Sequence, residues 1–259
     1  MYYQLAQQEF ESYLNGYDRE NDRIKLKIIH TYGVVKQAKE LARRRHLSPE
    51  DTDLARLIAL LHDIGRFEQL KRYDSFEPGT MDHAAYGVKV LFDEGMIRRF
   101  LPDDKWDSII YTAIAHHSDY ELPEISDPQT LLHAKLIRDE DKLDNCRVKL
   151  VDSTSTFINV SEEELGTQNI TQKVYETVFK NKCILSADRV TQMDYWVSYI
   201  VYFFDINFKE SFDIIAENDY LNRIIDRIPY SNPVTKEQME NIRVYMQNFI
   251  NSHTNSQSF

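Results

Sequence analysis

The chain has 259 residues, and 42% of them are hydrophobic, which is enough to bury a core without disulfide bonds. Its formal net charge of −11 opposes nucleic acid backbones and anionic lipids, so neither a nucleic acid duplex nor a membrane is an expected partner. The two cysteines, Cys146 and Cys183, match no zinc or redox spacing. We expect them to be reduced thiols of a cytoplasmic protein.

The N-terminal stretch 1–17 has neither a basic start nor an apolar run, so no signal peptide is expected. The most apolar stretch, 195–204, is about half the ~20 residues that a membrane helix needs. We therefore predict that this stretch is a buried core helix.

Apolar residues recur at helical spacing almost throughout, and glycine and proline are scarce, at seven each. The first predicted helix, over 24–45, places Ile24, Ile28 and Val35 on one face. Ser48 and Pro49 then predict the N-cap and first position of a second helix. That helix should end near Gly65, because glycine tolerates the left-handed conformation that often follows a helix.

The same spacing predicts helices at 82–100, 104–117, 129–150, 162–180, 187–205, 208–228 and 235–252. The predicted fold class is therefore all-α, a helical bundle. We favour one domain over 1–259, and the segment around 151–160 is the best candidate for a loop between two halves.

Two inward-facing carboxylates draw attention to one end of this bundle. His62 follows Ile58 by four residues and leads directly into Asp63, and Asp141 follows Ile137 by four residues. A buried charge without a partner costs several kcal/mol or more. Asp63 and Asp141 therefore require a cation nearby.

Histidines on other predicted helices could complete a metal site. His30 lies within the first helix, His83 follows the predicted N-cap Asp82, and His116 and His117 end a third helix. Helical bundles build metal sites from imidazoles and carboxylates of facing helices. A set without thiolates suits Fe, Mn, Zn or Co.

These residues resemble the signature of the HD superfamily of metal-dependent phosphohydrolases. The family pattern of His, His-Asp and Asp reads here as His30, His62–Asp63 and Asp141. Four local strings are also similar to the family: LLHDIGRF at 60–67, DHAAYGVKVL at 82–91, AIAHHSDY at 113–120 and LIRDEDKLDN at 136–145. The resemblance implies an HD-like metal-binding core over 22–150, and the apolar periodicity predicts a helical C-terminal extension over 155–259.

The resemblance implies a first metal site formed by His30, His62, Asp63 and Asp141. The two-metal branch of the family, with its binuclear site, adds a second ion, bridged by Asp63. The remaining ligands of that ion would be His83, His116 and His117. The cofactor would be one or two divalent ions out of Fe, Mn, Zn, Co, Ni and Mg.

The implied activity is hydrolysis of a phosphate ester or phosphoanhydride by metal-activated water. The substrate would be a small phosphorylated compound, for example a nucleotide. A homodimer is a possible assembly. Asp63 and Arg66 are the predicted catalytic residues, and Arg66 has a fork that suits phosphate oxygens. Arg138 and Lys142, which flank Asp141, could also bind substrate.

Two departures from the family pattern narrow the range of candidate substrates. No Gly-Tyr-Pro follows His117, which argues against a cyclic dinucleotide phosphodiesterase. Gly-Arg-Phe, rather than Glu-Asp, follows Ile64, which argues against an alarmone hydrolase.

Two other functions stay open. One is an HD-type mixed-valent di-iron oxygenase, and the other is a nucleotide-sensing module without turnover. Of the remaining histidines, His133 is expected at the surface or behind the metal ligands, and His253 is expected to be uninvolved.

Overall fold

The computed structural model describes residues 2–77 and 79–254, and these two ranges contain helices but no strand. The prediction of an all-α fold is confirmed. The chain divides into two compact units, Met1–Asp144 and Asn145–Phe259. This division falls inside one continuous helix, Pro128–Val151, and not in the predicted loop around 151–160. The single domain over 1–259 stays a prediction.

Eight helices, counted over the described residues, begin in the first unit. They are α1 (Tyr2–Leu14), α2 (Asp22–Arg44), α3 (Pro49–Leu61), α4 (Ile64–Tyr73), α5 (His83–Val88), α6 (Ile97–Phe100), α7 (Asp107–Ala115) and α8 (Pro128–Val151). Helix α2 packs along α3, α4 packs on α5, and α1 packs on α3 and α6.

Helix α3 is the central element of the first unit. Ser48 accepts a hydrogen bond from the Asp51 backbone N–H at 3.0 Å, and Pro49 takes the first helical position, so the predicted start is confirmed. All seven residues from Leu54 to Leu61 other than Arg56 are buried. The second half of α3 is thus apolar on every side except at Arg56, and such a segment is stable only inside a core, which places the end of α3 in the interior.

The end of α3 differs from the prediction. The helix ends at Leu61, and α4 begins at Ile64. Gly65 therefore lies in the first turn of α4 and does not terminate α3.

Two predicted helices are interrupted by residues with positive φ. The predicted helix 82–100 consists of α5, a π-helical stretch Lys89–Asp93 and α6, with Gly95 at φ 76° before α6. The predicted helix 208–228 is broken at Asp219, whose φ is 51°. In both cases apolar spacing continues across the break, so periodicity alone predicted one longer helix.

The second unit is built from shorter helices and one long one. They are α9 (Thr154–Ile158), α10 (Glu162–Thr167), α11 (Gln172–Val178), α12 (Gln192–Val201), α13 (Lys209–Glu217), α14 (Tyr220–Asp226) and α15 (Pro233–Thr254), with short 3₁₀ turns at Ser186–Asp188 and Tyr202–Asp205. Helix α15 packs on α13 and α14, and α12 packs on α10 and α11.

The apolar stretch 195–204 lies mainly in α12. Trp196, Val197 and Ile200 have no solvent exposure, so the prediction of a buried core helix is confirmed. No helix among the described residues combines the length and the apolar character needed to cross a bilayer.

Candidate metal centre

The turn between α3 and α4 carries the central pair of the candidate site. His62 caps the C-terminus of α3 and Asp63 immediately precedes α4. Both side chains are buried, with 0% and 3% exposure. Their position follows from the burial of α3, which carries the chain into the core before it turns.

Three side chains from three elements form the first metal-sized group: His30, His62 and Asp141. The His30 Nε2 lies 2.9 Å from the Asp141 Oδ1, and the His62 Nε2 lies 3.8 Å from the same oxygen. Helices α2 and α8 thus bring one ligand each to the end of α3.

The second group contains His62, Asp63 and His117, and His83 lies beside it. The Asp63 Oδ1 is 3.7 Å from the His117 Nε2 and 3.3 Å from the His83 Nε2. The other oxygen, Oδ2, is 3.5 Å from the His62 Nε2. The two oxygens of Asp63 therefore face different imidazoles.

Backbone carbonyl oxygens orient two of the rings. The Nδ1 of His62 is 2.8 Å from the Ala59 carbonyl oxygen, and the Nδ1 of His117 is 2.7 Å from the Ile114 carbonyl oxygen. A carbonyl only accepts, so each Nδ1 carries the proton and donates it. In the neutral rings each Nε2 then presents a lone pair to the site.

The Nε2 lone pairs of the site histidines lie close to other hydrogen-bond acceptors. The Nε2 atoms of His30 and His62 are buried without a hydrogen-bond partner, although carboxylate oxygens lie close to both. The Nε2 of His83 is 3.1 Å from that of His117 and 3.0 Å from the Arg66 Nη2, which can only donate. Nitrogen lone pairs and carboxylates this close repel each other unless a proton or a metal cation lies between them, so the donor set fits a divalent cation.

Two side-chain cations border the site. The Lys27 Nζ lies 2.5 Å from the Asp63 Oδ2, and the Arg66 Nε lies 3.8 Å from the Asp63 Oδ1. Burial alone would raise the pKa of Asp63, but Lys27 and His62 outweigh burial and hold that pKa well below its ordinary value. Asp63 is thus a carboxylate at neutral pH.

The pKa values of two histidines in the site are shifted in opposite directions. Burial favours neutral His62, yet Asp63 and Asp141 favour its charged form more strongly and raise its pKa above the ordinary 6.5. Burial, with the neighbouring Arg66, holds the pKa of His83 well below 6.5. In the absence of a metal, His62 is the imidazole best suited to hold a proton between the carboxylates.

Asp144 supports His30 and was missed by the sequence analysis. Its Oδ2 lies 2.8 Å from the His30 Nδ1, and both side chains are 1% exposed. The carboxylate approaches because residue 33, one turn after His30, is glycine: a Cβ there would lie 2.0 Å from the Asp144 Oδ1. The available signal was the spacing, since Asp144 follows Asp141 by three residues on the same helix face.

A close approach between the backbones of α4 and α5 positions His83. A Cβ on Gly65 would lie 2.2 Å from the His83 carbonyl oxygen and 2.7 Å from the Gly87 N. The two glycines let the backbones of α4 and α5 nearly touch, which brings His83 next to Asp63.

His116, Arg138 and Lys142 lie differently from the other predicted site residues. The His116 Nδ1 is 2.6 Å from the Asp119 Oδ2, and within the described residues His116 belongs to neither metal-sized group. The Arg138 Nη1 donates to the His116 carbonyl oxygen at 2.8 Å, and the Lys142 Nζ donates to the Arg138 carbonyl oxygen at 3.1 Å. These contacts shape the backbone behind the site, and the ligand role of His116 and the substrate roles of Arg138 and Lys142 stay predictions.

Arg66 is tied to the loop between α4 and α5, another feature that the sequence analysis missed. The Arg66 Nη1 donates to the Gln69 Oε1. The fully buried Gln69 then donates through Nε2 to the Glu77 carbonyl oxygen at 3.0 Å and to the Thr80 Oγ1 at 2.7 Å. The guanidinium is thereby held beside His83 and Asp63.

Helices that bring imidazoles and carboxylates together at one interior point define an all-helical protein with a centre suited to a divalent cation. The model of the HD domain family matches residues 28–146. This part of the chain is an HD domain, and the match supports the resemblance to the HD superfamily of metal-dependent phosphohydrolases. The predicted resemblance is confirmed, while its two-metal branch stays a prediction. No curated protein and no solved structure matches the chain.

Proposed function

We propose that the protein hydrolyses a phosphate ester or phosphoanhydride of a small molecule, with nucleotides among the candidate substrates. HD domains bind divalent metal ions and are in general hydrolases. The observation that carries the proposal is the convergence of His30, His62, Asp63, His117 and Asp141, in two groups that share His62, each with its ligand atoms within 4.8 Å of one another. Imidazoles and carboxylates gathered in this way are the ligands that a divalent cation binds.

When bound, a divalent cation would lower the pKa of a water molecule and withdraw charge from phosphoryl oxygens. His30, His62 and Asp141 would hold one ion. Asp63 and His117, with the adjacent His83, are the residues that could hold a second, because the two oxygens of Asp63 face different imidazoles.

Arg66 is suited to bind the phosphoryl group. Its side chain is 14% exposed, so it reaches from the interior to solvent. Gln69 holds one end of its guanidinium, which leaves a planar cation beside the ligands. A guanidinium fixed in this way binds phosphate oxygens and orients the ester without taking part in proton transfer.

Elemental analysis of freshly purified protein, followed by a hydrolysis screen over nucleotides and small phosphoesters with each divalent metal, tests the proposal. We expect bound metal and metal-dependent release of phosphate. Asp63→Ala should lose metal and activity together and retain its helical circular dichroism. Normal metal content in Asp63→Ala would contradict the assignment.

The same experiment separates the other functions. Iron-rich, coloured protein that consumes oxygen would indicate the di-iron oxygenase. Tight nucleotide binding without product would indicate a sensing module.

A further inference from the structure

Lys27 occupies the place in which a cation is needed. It lies on α2 three residues before His30, and therefore on the same face of that helix. Its Nζ is 2.5 Å from the Asp63 Oδ2, the oxygen that also faces His62 at 3.5 Å. No sequence motif pointed to this lysine.

The Lys27 side chain lies at the boundary between the site and solvent. It is 12% exposed, against 3% for Asp63, and its Nζ lies 5.9 Å from the centre of the Phe76 ring. A lysine has four methylene groups that can stay packed while its ammonium moves outward. The ammonium can therefore leave Asp63 without any movement of α2.

Lys27 and a metal ion compete for the same oxygen. A dication bound to Asp63 would repel an ammonium in direct contact with that carboxylate, and would supply the charge that Asp63 loses when Lys27 departs. A released ammonium would lie at the mouth of the site, close to where Arg66 already presents a cation. An anionic group of the substrate is the natural partner for it there.

We propose, on the premise of the proposed function, that Lys27 exchanges partners: it pairs with Asp63 while the metal is absent, and with a phosphoryl oxygen of the substrate once a cation has taken Asp63. Lys27 thus stabilises the metal-free site and becomes a substrate-binding residue of the loaded one. Lys27 would recognise the phosphate group of the substrate and would make no contact with the rest of that molecule.

The first test compares Lys27→Met with Lys25→Met, which removes the same charge from an exposed position of the same helix. Without metal, Lys27→Met should unfold several degrees below Lys25→Met, because it leaves Asp63 with only the more distant His62 and Arg66 as sources of positive charge. In calorimetric titrations Lys27→Met should bind Mn²⁺ more tightly, on the order of tenfold, since it lacks the competing ammonium. Equal Mn²⁺ affinities in the two variants would overturn the exchange.

The second test titrates inorganic phosphate into the Mn²⁺-loaded proteins. Lys27→Met should bind phosphate on the order of tenfold more weakly than Lys25→Met, because it lacks one charge-assisted hydrogen bond. Equal phosphate affinities would overturn the substrate half of the proposal. Lys27→Arg keeps a cation and should retain phosphate binding and the stability of the metal-free protein, so it decides the question if Lys27→Met fails to fold.

These titrations need no turnover. If no phosphoester is hydrolysed by the wild-type protein, the proposed function fails, and the Mn²⁺ and phosphate affinities still decide the role of Lys27. If hydrolysis occurs and Lys27→Met matches Lys25→Met in both affinities, only the inference about Lys27 fails.

Discussion

At the scale of single residues, the candidate centre depends on what lies behind its imidazoles. His62 and His117 each donate a proton to a carbonyl oxygen three residues earlier in their own segment, whereas His30 has a carboxylate, Asp144, as its partner. Such partners fix the ring orientation, and a carboxylate also raises the basicity of the ligand nitrogen. His30 is thus expected to be the strongest imidazole donor of the first group.

Gly33→Ala tests the support of His30. The new Cβ would lie 2.0 Å from the Asp144 Oδ1, so Asp144 must move away from the His30 ring. We expect a loss of about 10- to 100-fold in metal affinity and of about 1–3 kcal/mol in the free energy of unfolding, measured by titration and by urea denaturation.

Gly16→Ala is the matched control, because its Cβ would have only an ordinary contact of 3.5 Å with the Tyr13 carbonyl oxygen. Wild-type metal affinity in Gly33→Ala would show that Asp144 does not support the ligand.

The raised pKa of His62 predicts how metal binding depends on pH. Because this pKa lies above 6.5 in the folded metal-free protein, the proton on His62 stabilises that state below pH 6.5, and this stability is lost as the pH rises through the raised pKa. A metal must displace this proton. Its affinity should therefore increase with pH across this range, with proton release measurable by calorimetry in buffers of different ionisation enthalpy.

Asp63 and Asp141 do not add to this pH dependence near neutral pH. The pKa of Asp63 and the pKa of Asp141 are both lowered, and His30 and His62 contribute to the shift at Asp141. The stability that these two groups provide is lost only in acid. A metal affinity that stayed constant as the pH rose from 6.5 would contradict the raised pKa of His62.

At the scale of secondary structure elements, the contact between α4 and α5 sets the geometry of the second group. Helix α5 has only six residues, too few to be stable by itself, so its position depends on what it packs against. Gly65 and Gly87 allow the two backbones to approach, and the N-cap Asp82 accepts from the Ala85 N–H at 3.0 Å.

Gly65→Ala should separate these two helices. Its Cβ would lie 2.2 Å from the His83 carbonyl oxygen, and backbone atoms cannot turn aside as a side chain can. We expect a cost of about 1–3 kcal/mol in the free energy of unfolding, with reduced metal stoichiometry or affinity by elemental analysis.

Gly87→Ala provides the comparison for Gly65→Ala. Its Cβ would meet the Ile64 Cγ2 at 3.3 Å, a milder contact with a side chain. If both variants kept full metal content and stability, the close approach would not control the site.

The elements also explain which ligands the sequence could predict. His62 and Asp141 were predictable because each follows a buried isoleucine by four residues, and Asp63 was predicted from its place next to His62. The histidine pair was not resolved in this way. Helix α7 ends at Ala115, and two adjacent side chains leave the backbone in different directions, so His117 faces Asp63 while His116 pairs with Asp119.

Lys27 and Asp144 were missed for a different reason. Each is one turn from a predicted ligand, and charged residues at such positions are usually solvated helix surface. Only the structure shows that Lys27 contacts Asp63 and that Gly33 leaves space for Asp144. Contacts between distant segments of the chain cannot be read from the spacing within either segment.

At the scale of the whole molecule, the predicted ligands all lie in the first compact unit, up to Asp144. The second unit contains His253, whose ring stacks on Phe212 with centroids 4.6 Å apart. His253→Ala should therefore leave metal content and hydrolysis unchanged and lower the free energy of unfolding by about 0.5–1.5 kcal/mol. A loss of bound metal, measured by elemental analysis, would contradict the confinement of the site to the first unit.

The contact of α1 with α4 has a practical consequence. Tyr13 donates to the carbonyl oxygen of Ile64 at 3.0 Å, directly beyond Asp63, and Phe10 packs edge-on against Phe67. Both aromatic residues, like Lys27, precede the matched segment 28–146. A fragment trimmed to residues 28–146 would lack both aromatic contacts to α4 and the ammonium nearest to Asp63. If such a fragment were inactive, that result would say nothing about the activity of the full chain.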